Sequence, residues 1–570
     1  MNEKPFHPSR TAWDRMGGKY GWLAIGFLGI VRVTQAFTIE VDPNTQVPLI
    51  PWTSTASGPR TANGQPVTLT WSFVPDGTTI SDGAGSLWAS NLIAQLNSAF
   101  GGNPNQTDLT QQPWFPIFQQ SFGRWGQLGG ATYIYEANDS GGTHNIGNGI
   151  LGVRGDVRIG GAGVDGPGNV LAFNFLPTGG SDMVLDTNDM DEFVDPTNNF
   201  VMLRNVVMHE HGHGFGLLHV TSTTDDMLME PAIDASFDGP RLDEVRGIHF
   251  FFGDQWEKSH GGLGNGTTTR ATPLGPLLPG GSAQIGLSSV VPNQSISATA
   301  TDFVSISNNS DVDFFSFNIS RPGRLSGNLT PRGGVFTQSG QGGTPTSFNA
   351  NARSDLTLSI LDTNGTTVLS TANSTGLGGS ETVSNLPLLS AGQYYARVTG
   401  SSSNSTMQLY DLALNFQIDT TFTWLGGPGD WQDASRWSPL TGPPDTLQTA
   451  IINTGGTTAV EVTGAQTAAN TLLSAGTLQL LAPGTLASPI NISGGVLSGD
   501  GMVLGNVINS GGTLSPDGAS PTAGSGQTQA VPEPGAVPEP GAWCGAWILV
   551  GYLWGCRKQW HRLPACEEVA

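Results

Sequence analysis

Hydrophobic and polar positions change their spacing along the chain, and each spacing predicts a different kind of element. Across residues 84–100 the apolar side chains recur three and four apart, which predicts an amphipathic helix. Residues 132–135 alternate as a strand does. Across residues 298–416 short alternating segments recur between turn signals, which predicts a β-sandwich. Across residues 421–517 apolar residues alternate with Gly and Asn turns in short repeats, which predicts stacked coils as in a β-helix.

An apolar run near the N-terminus is a targeting signal rather than a folded element. Residues 21–31 are apolar and follow a segment that contains four basic residues. Small residues at 34–36 offer a cleavage point, so residues 1–36 are predicted to be a secretory signal peptide. Arg32 interrupts the run early, and an uncleaved anchor stays open as the alternative.

A second apolar run, residues 542–556, stands near the C-terminus. It is shorter than the roughly 20 residues that span a bilayer. Two Val-Pro-Glu-Pro repeats within residues 519–541 precede it, and basic residues follow it up to residue 562, before a tail of residues 563–570. This order resembles the PEP-CTERM sorting signal of Gram-negative bacteria. The resemblance implies an exosortase-type processing enzyme as a partner.

Composition is typical of an exported protein. The chain of 570 residues has 45 acidic and 23 basic residues, for a net charge of −22. Such a balance argues against nucleic acid as a partner, because phosphate binding needs clustered Lys and Arg. All three cysteines, Cys544, Cys556 and Cys566, lie at the C-terminal end, so the mature exported part is predicted to hold no disulfides.

The strongest chemical signal is His209-Glu210-His211-Gly212-His213-Gly214-Phe215-Gly216-Leu217-Leu218-His219, which fits H-E-x-x-H-x-x-G-x-x-H. Residues four apart share one face of a helix, so His209 and His213 can bind one metal ion. Glu210 projects from the same turn without being a ligand. Gly216 can turn the chain because glycine takes positive φ without a Cβ penalty. His219 then completes a three-histidine site with an open fourth position.

This donor set predicts a catalytic zinc ion, although imidazole also suits copper, nickel and iron. Zinc would lower the pKa of a bound water to about 7 and polarise a peptide carbonyl. Glu210 would act as general base and return the proton to the leaving amine. His211 lies about 100° away from its neighbours around the helix, so we expect it to be a solvated histidine.

The long motif and a methionine turn at Leu228-Met229-Glu230-Pro231 resemble the metzincin signature. The astacin and serralysin branches carry a tyrosine just after that turn, and this chain has none between Tyr135 and Tyr394, so the resemblance is to matrixins. It implies an α+β catalytic domain over residues 66–255, with a twisted mixed sheet, an active-site helix, Met229 beneath the metal, and protein or peptide substrates. Segments that resemble matrixin elements in order are 66–73, 156–159, 165–168, 171–177 and 242–248.

Departures from the vertebrate matrixins change the expected metal sites. Asn174 and Val184 stand where histidines would bind a second, structural zinc, and His144 alone cannot replace them, so none is predicted. No cysteine precedes the domain to act as a cysteine switch. The resemblance places acidic ligands at Asp165, Asp186 and Asp189. Two interpretations of these three residues stay open, a structural calcium site and solvated loop aspartates.

The remaining segments are assigned by composition. Residues 37–65 form a short lead, 256–295 a flexible linker, 296–417 the β-sandwich and 421–518 the β-repeat module. Residues 311–317 and 392–398 of the sandwich resemble the signature of bacterial pre-peptidase C-terminal domains, and we interpret Asp311 and Asp313 as solvated turn aspartates, with a calcium role as the alternative. The repeats resemble passenger-type repeats of autotransporters, with Trp424 and Trp431 expected in their core.

Two functions from different classes fit this sequence. The first is an exported zinc endopeptidase, located at the cell surface or outside the cell, that touches a membrane only through its terminal segments. The second is a surface adhesion or matrix protein whose protease domain is inactive. The intact Glu210 favours the enzyme.

Overall fold

A computed structural model describes most of the chain between residues 37 and 516. The described residues are 37–39, 48–145, 147–224, 227–403, 406–455 and 459–516. The predicted signal peptide, the Pro/Gly-rich linker of residues 519–541, the apolar segment with its basic cluster and the C-terminal tail lie outside them. All described residues belong to one compact unit, Met1–Ala519.

The helices are concentrated in the first half of the chain. They are α1 (Leu92–Phe100), α2 (Phe115–Leu128), α3 (Met190–Phe193), α4 (Val201–Phe215), α5 (Leu242–Phe252) and a short turn, α6 (Ser259–Gly262). None of the helices in the described ranges is long and apolar enough to cross a membrane.

Twelve strands accompany these helices. They are β1 (Thr38–Ile39), β2 (Ser54–Thr55), β3 (Gly58–Pro59), β4 (Val67–Phe73), β5 (Thr79–Ser81), β6 (Leu87–Ala89), β7 (Ala131–Tyr135), β8 (Val157–Ala162), β9 (Ala172–Asn174), β10 (Met183–Asp186), β11 (Leu217–Leu218) and β12 (Val220–Ser222). Five of them form a sheet in the order β7-β4-β8-β10-β9, in which only the β9–β10 pairing is antiparallel. The sheet is therefore mixed, with β9 at its edge.

The predicted helix over residues 84–100 is wrong in its first half. Residues 87–89 form β6, which pairs antiparallel with β5, and α1 begins only at Leu92. The turn between the two strands is fixed by Asp82, whose carboxylate accepts the amides of Ala84 and Ser86. A side chain that binds local backbone amides stabilises a turn at the expense of a helix.

A single apolar core joins the sheet to the helices. Helix α4 runs through its centre, and all fifteen of its residues are buried. Trp71 of β4 stacks on Phe115 and Phe122 of α2, with ring centroids 5.4 and 4.8 Å apart. The metal-binding motif is thus carried by a helix that is buried along its whole length.

Residues 272–417 form two five-stranded sheets around a separate apolar core, and we call this region the two-sheet domain. Its strands are β13 (Thr272–Pro276), β14 (Ser282–Ile285), β15 (Val304–Ile306), β16 (Val312–Ile319), β17 (Gly323–Arg332), β18 (Val335–Gly340), β19 (Thr346–Asn349), β20 (Asp355–Leu361), β21 (Val368–Ala372), β22 (Glu381–Leu388), β23 (Gly392–Ser401) and β24 (Gln408–Gln417). The sheet orders are β13-β16-β23-β20-β21 and β14-β24-β17-β22, and β15 also pairs with β24.

Where the sequence predicts a linker over residues 256–295, the structure has two edge strands of this domain. Strand β13 pairs with β16, and β14 pairs with β24. Both lie at the outer end of a sheet, where proline is tolerated because one row of backbone donors has no strand to face. The Pro and Gly content of this segment is compatible with edge strands as well as with a linker.

Residues 421–516, which we call the repeat region, contain β25 (Thr421–Trp424), β26 (Gly429–Asp430), β27 (Trp437–Ser438), β28 (Thr449–Asn453), β29 (Ala459–Val462), β30 (Ala465–Thr467), β31 (Asn470–Ala475), β32 (Thr477–Leu480), β33 (Thr485–Ala487), β34 (Ile490–Ile492), β35 (Val496–Gly499), β36 (Met502–Val503), β37 (Val507–Asn509) and β38 (Thr513–Pro516). Every third strand pairs in parallel, so β29, β32 and β35 line one sheet and β28, β31 and β34 another. Trp424, Trp431 and Trp437 are buried in its core, as expected for two of them.

Candidate metal centre

Helix α4 brings three motif residues to one place. His209 and His213 lie four positions apart in its last two turns, and Glu210 follows the first of them. All three are buried, with at most 2% of any of them exposed. The helix then ends at Gly216, whose φ of 96° is left-handed and whose amide donates to the carbonyls of Gly212 and His213.

The turn at Gly216 delivers the third histidine. After it, β11 and β12 flank His219, and β11 pairs with β1 in the register Thr38↔Leu218. His219 is 4% exposed. The structure therefore brings together the three histidines that the sequence proposed as metal ligands.

The three imidazoles converge through their Nε2 atoms. The Nε2 atom of His219 lies 3.2 Å from that of His209 and 3.2 Å from that of His213. Nitrogen ligands bound at about 2.0–2.1 Å to a tetrahedral zinc ion stand about 3.3 Å from one another. Three lone pairs at this spacing repel one another unless a cation lies between them, so the donor set fits a zinc ion.

Hydrogen bonds fix which ring nitrogen of each histidine carries the proton. The Nδ1 atoms of His209 and His213 lie 2.6 and 2.7 Å from the carbonyl oxygens of Leu228 and Leu217. The Nδ1 atom of His219 lies 3.1 Å from Oε1 of Gln341. Carbonyl and amide oxygens only accept, so each Nδ1 is the protonated nitrogen and each Nε2 carries the lone pair that can bind a metal.

Burial keeps two of these imidazoles neutral. It lowers the pKa of His209 to about 3 and that of His213 well below its ordinary value, and the neighbouring His219 adds to both shifts. Neutral imidazole is the form that binds metals. His209 and His213 are thus in the metal-binding state throughout the neutral range.

Neither carboxylate oxygen of Glu210 has a hydrogen-bond partner among the described residues. Burial raises the pKa of its carboxyl to about 8, and the nearby backbone of Asn174 in the edge strand offsets part of this effect. A cation nearby favours the ionised carboxylate. The same metal ion that fits the histidines would therefore convert Glu210 into a base.

The methionine turn packs against the middle of the motif. Met229 is buried, and a Cβ atom added to Gly212 would lie 2.5 Å from its Sδ atom. The amide of Met229 donates to Oε1 of Glu244 at 3.1 Å, and the second carboxylate oxygen of Glu244 accepts the amide of Arg241 at 2.8 Å. The start of α5 thus holds the turn that supplies the Leu228 carbonyl to His209.

The expectation that His211 is solvated is wrong. Its ring is completely buried among Phe122, Tyr133 and Phe215, and its Nε2 atom lies 2.8 Å from the Tyr133 hydroxyl. A histidine off the metal face reaches water only if its helix has a solvent side. Helix α4 is buried all round, so His211 packs in the aromatic core instead.

The three aspartates proposed for calcium lie in one loop region. Asp186 accepts the amides of Val164 and Asp165 at 3.1 Å, and Asp189 accepts the amide of Gly168. Asp186 and Asp189 are buried, and Oδ2 of Asp189 has no hydrogen-bond partner. Burial, together with Asp186, Asp165 and Glu192, raises the pKa of Asp189 to about 6.

Asp311 and Asp313 are not the solvated turn residues that the sequence suggested. Asp313 is fully buried and Asp311 is partly buried. Together with Glu257 they place carboxylate oxygens within 4.8 Å of one another. Oδ2 of Asp313 accepts from the Tyr410 hydroxyl, while its Oδ1 has no partner. Burial and mutual repulsion raise the pKa of these carboxyls above their ordinary range.

Asn174, Val184 and His144, which were compared with the structural zinc site of vertebrate matrixins, are buried within the protein. Asn174 donates through Nδ2 to the carbonyl of Phe175 at 2.6 Å, and Val184 is a buried residue of β10. His144 has its Nε2 atom 3.3 Å from the carbonyl of Arg158.

Sequence reasoning missed Gln341. It lies 122 positions from His219 and outside the segment that resembles matrixins, so no local spacing connects the two residues. Only the pairing of β12 with β18 reveals it.

Comparison with known proteins agrees with the motif. Residues 98–253 match the model of the family described as Matrixin. A segment of 112 residues is 36% identical to the "Hatching enzyme" of Paracentrotus lividus and covers 19% of this chain. The chain spans 17% of the length of that relative. This part of the chain is therefore similar to matrixin metalloproteases.

Two solved structures resemble parts of the chain at low TM-score. The pre-peptidase C-terminal domain of a collagenase from Bacillus anthracis is 10% identical, with a TM-score of 0.15, covering 25% of this chain and 95% of that one. The GM1-bound form of the ECX AB5 holotoxin is 13% identical, with a TM-score of 0.18, covering 34% of this chain and 86% of that one.

Proposed function

We propose that the domain spanning residues 66–255 is a zinc-dependent endopeptidase of the matrixin type. The observation that carries this proposal is the convergence of three Nε2 atoms at 3.2 Å, each on an imidazole whose Nδ1 donates elsewhere. The match of residues 98–253 to the Matrixin model supports the same conclusion.

Three residues of this chain would hold the metal and one would move protons. His209, His213 and His219 would bind zinc through Nε2. Zinc supplies Lewis-acid chemistry, polarising the scissile carbonyl and making water more acidic. Glu210 accepts the proton of the attacking water and delivers it to the nitrogen of the leaving amine, and such proton transfer contributes about 10²–10⁴-fold to rate.

The substrate would be an extended peptide. Strand β9 lies at the edge of the mixed sheet, so part of its backbone has no neighbouring strand in the described sheet. An extended peptide can add to such an edge through main-chain hydrogen bonds. The backbone of Asn174, at the end of β9, also lowers the pKa of Glu210, and this proximity supports a substrate strand beside that carboxylate.

Metal analysis and proteolysis together test the proposal. We expect the wild-type chain to bind one zinc ion and to cleave casein or a broad peptide library. Glu210→Ala should bind the same amount of zinc with a kcat/KM lower by about 10²–10⁴-fold. If both proteins bind zinc and neither cleaves any substrate, the alternative holds, an adhesion or matrix protein with an inactive protease domain.

We also propose a structural calcium ion at Asp165, Asp186 and Asp189. The buried oxygen of Asp189 that has no hydrogen-bond partner, and the charges of Asp186 and Asp165 that raise the pKa of Asp189, support it, because calcium takes carboxylate oxygens as ligands. Calcium titration followed by thermal unfolding tests it. Asp189→Asn should abolish a calcium-dependent rise in melting temperature.

The accessory regions and the ends complete the proposal. We infer that the two-sheet domain is a β-sandwich, because both sheets share one apolar core, and that the repeat region is a β-helix, because its strands stack in parallel. The terminal sequence signals favour export with exosortase-type processing. Cell fractionation with an antibody to the two-sheet domain would test the location.

A further inference from the structure

A hairpin from the two-sheet domain reaches the candidate metal centre. Strands β18 and β19 form this hairpin, which connects two strands of that domain, β17 and β20. Strand β18 lies outside the two main sheets. It pairs antiparallel with β12 of the N-terminal domain, by which we mean residues 66–255, in the register Val220↔Gly340 and Ser222↔Gln338. The hairpin therefore pairs with the strand that directly follows His219.

The register places Gln341 opposite His219. Extending the pairing by one residue beyond Val220↔Gly340 matches these two positions, and the amide of Gln341 donates to the carbonyl of His219 at 3.3 Å. Side chains of directly opposite residues point to the same face of a ladder. This explains why Oε1 of Gln341 lies 3.1 Å from Nδ1 of His219.

The hairpin is anchored at a second place. Gln338 is fully buried and donates through Nε2 to Oδ2 of Asp243 at 3.1 Å. Asp243 also pairs with Arg246 at 3.0 Å, and the Arg246 guanidinium lies 5.2 Å from the ring centre of Phe348 in β19. Helix α5 thus holds both strands of the hairpin, and the position of Gln341 is fixed by more than one contact.

His219 differs from the other two candidate ligands in the origin of this support. His209 and His213 donate to backbone carbonyls of their own domain. His219 donates to a side chain of another domain. An acceptor that binds the Nδ1–H of a ligating histidine fixes its tautomer and orientation and raises its basicity.

We propose that Gln341 is a positioning residue of the candidate metal centre, so that a side chain of the two-sheet domain orients a metal ligand carried by the N-terminal domain. The inference rests on the proposed function, because it assumes that His219 binds the metal. It predicts that metal affinity depends on a residue outside the segment that matches matrixins.

The test compares metal binding by full-length variants. Gln341→Leu removes the acceptor oxygen and keeps the side-chain bulk, and Gln341→Glu keeps an acceptor at nearly the same place. Gln393→Leu changes an exposed glutamine of the same domain and serves as the control. Zinc affinity is measured by competition with a chromophoric chelator, and the cobalt-substituted proteins are compared by their visible absorption.

We expect Gln341→Leu to bind zinc about 10–100-fold more weakly, the usual cost of removing the acceptor that a ligating histidine donates to. Its cobalt spectrum should change in position or intensity. Gln341→Glu should restore affinity to within about threefold and Gln393→Leu should equal the wild type, since only an acceptor at position 341 is required. If Gln341→Leu does not fold in its metal-free form, as judged by thermal unfolding, Gln341→Ala replaces it.

The outcomes separate this inference from the proposed function. A wild-type chain that binds no zinc overturns both. A wild type that binds one zinc ion while Gln341→Leu shows the same affinity and cobalt spectrum overturns only the positioning role. A wild type that binds zinc but cleaves nothing overturns the endopeptidase, and the affinities still decide whether Gln341 positions His219.

Discussion

At the scale of single residues, the groups around each imidazole of the candidate metal centre hold it in the form that binds a metal. His209, His213 and His219 are buried and protonated on Nδ1. Burial by itself would make three buried donors unfavourable, because unpaired polar groups cost free energy in an apolar setting. The carbonyls of Leu228 and Leu217 and the amide of Gln341 remove that cost on the Nδ1 side, and a metal removes it on the Nε2 side.

Gly216→Ala should destabilise the protein by about 1–2 kcal/mol, the cost of a left-handed conformation for a residue with a Cβ atom. Space is not the reason, since the nearest atom to an added Cβ is Cζ of Phe251 at 3.6 Å. The strain should also displace His219 and weaken zinc binding. Urea unfolding and zinc competition measure the two effects.

Gly123→Ala is the matched control for that substitution. Gly123 lies inside α2, and an added Cβ would meet nothing within 4 Å. Alanine in such a position should be neutral or stabilising by up to about 1 kcal/mol. Equal effects of the two substitutions would contradict a special conformational role for Gly216.

The spacing of residues in the motif predicts which side chains meet but not what surrounds each of them. The motif predicted which residues meet, because periodicity along a helix is a local property. It placed His211 in solvent, because spacing gives a direction around the helix but not what lies there. His211 is enclosed by Tyr133 and Phe122, which belong to a distant strand and a distant helix. The residues near His211 in the sequence do not predict these contacts.

At the scale of elements, buried carboxylates join strands to the segments around them. Asp156, just before β8, accepts the amide and hydroxyl of Thr70 in β4, each at 2.8 Å. Its other oxygen accepts the amides of Gly149 at 2.9 Å and Ala56 at 2.7 Å. One side chain thus satisfies donors from three separate segments of the chain.

Asp156→Ala should therefore lower the free energy of unfolding by about 2–4 kcal/mol, because four donors lose a charged acceptor and several stay buried. Urea unfolding with intrinsic tryptophan fluorescence measures this change. Asp195→Ala, at an exposed aspartate that accepts only local donors, should leave the transition close to that of the wild type. A small effect at Asp156 would mean that water replaces the lost acceptor.

Elements with a local pattern or a family resemblance were predictable, and elements that depend on distant partners were not. Residues 132–135 lie in β7, as their alternation predicts. Residues 67–73 and 242–248 lie in β4 and α5, as the resemblance to matrixins implies. Strand β13 contains two prolines and a glycine and resembles a linker until β16 is seen beside it.

At the scale of the whole molecule, side-chain hydrogen bonds join the N-terminal and two-sheet domains. Arg124 of α2 donates to the carbonyls of Ala300 and Ser297, at 2.8 and 3.1 Å. His249 of α5 lies 3.0 Å from the Ser305 hydroxyl. Changes in composition along the chain suggested separate modules. Composition carries no information on the side chains that make contacts between those modules. This packing is what allows Gln341 to reach the metal centre.

The acidic cluster at this junction makes stability depend on pH. Burial first, and then the charges of Asp311 and Asp254, raise the pKa of Glu257 to about 9, while an unfolded glutamate titrates near about 4.3. The folded chain therefore holds a proton that the unfolded chain has lost. Where the native state binds more protons, the free energy of unfolding falls as pH rises. The free energy of unfolding starts to fall above the pKa of Glu257 in the unfolded chain and stops falling above its pKa in the folded chain.

Between pH 7 and 9, in the presence of a chelator, the wild type should lose stability by up to about 1.4 kcal/mol for each pH unit through this one group. Glu257→Gln cannot ionise, so its unfolding free energy should fall less steeply over the same range. Glu192→Gln, at an exposed glutamate of α3, should follow the wild type. Urea titrations at several pH values give the slopes. Parallel slopes for wild type and Glu257→Gln would show that the junction carboxylates are ionised in the folded protein and are compensated by a contact or by solvent.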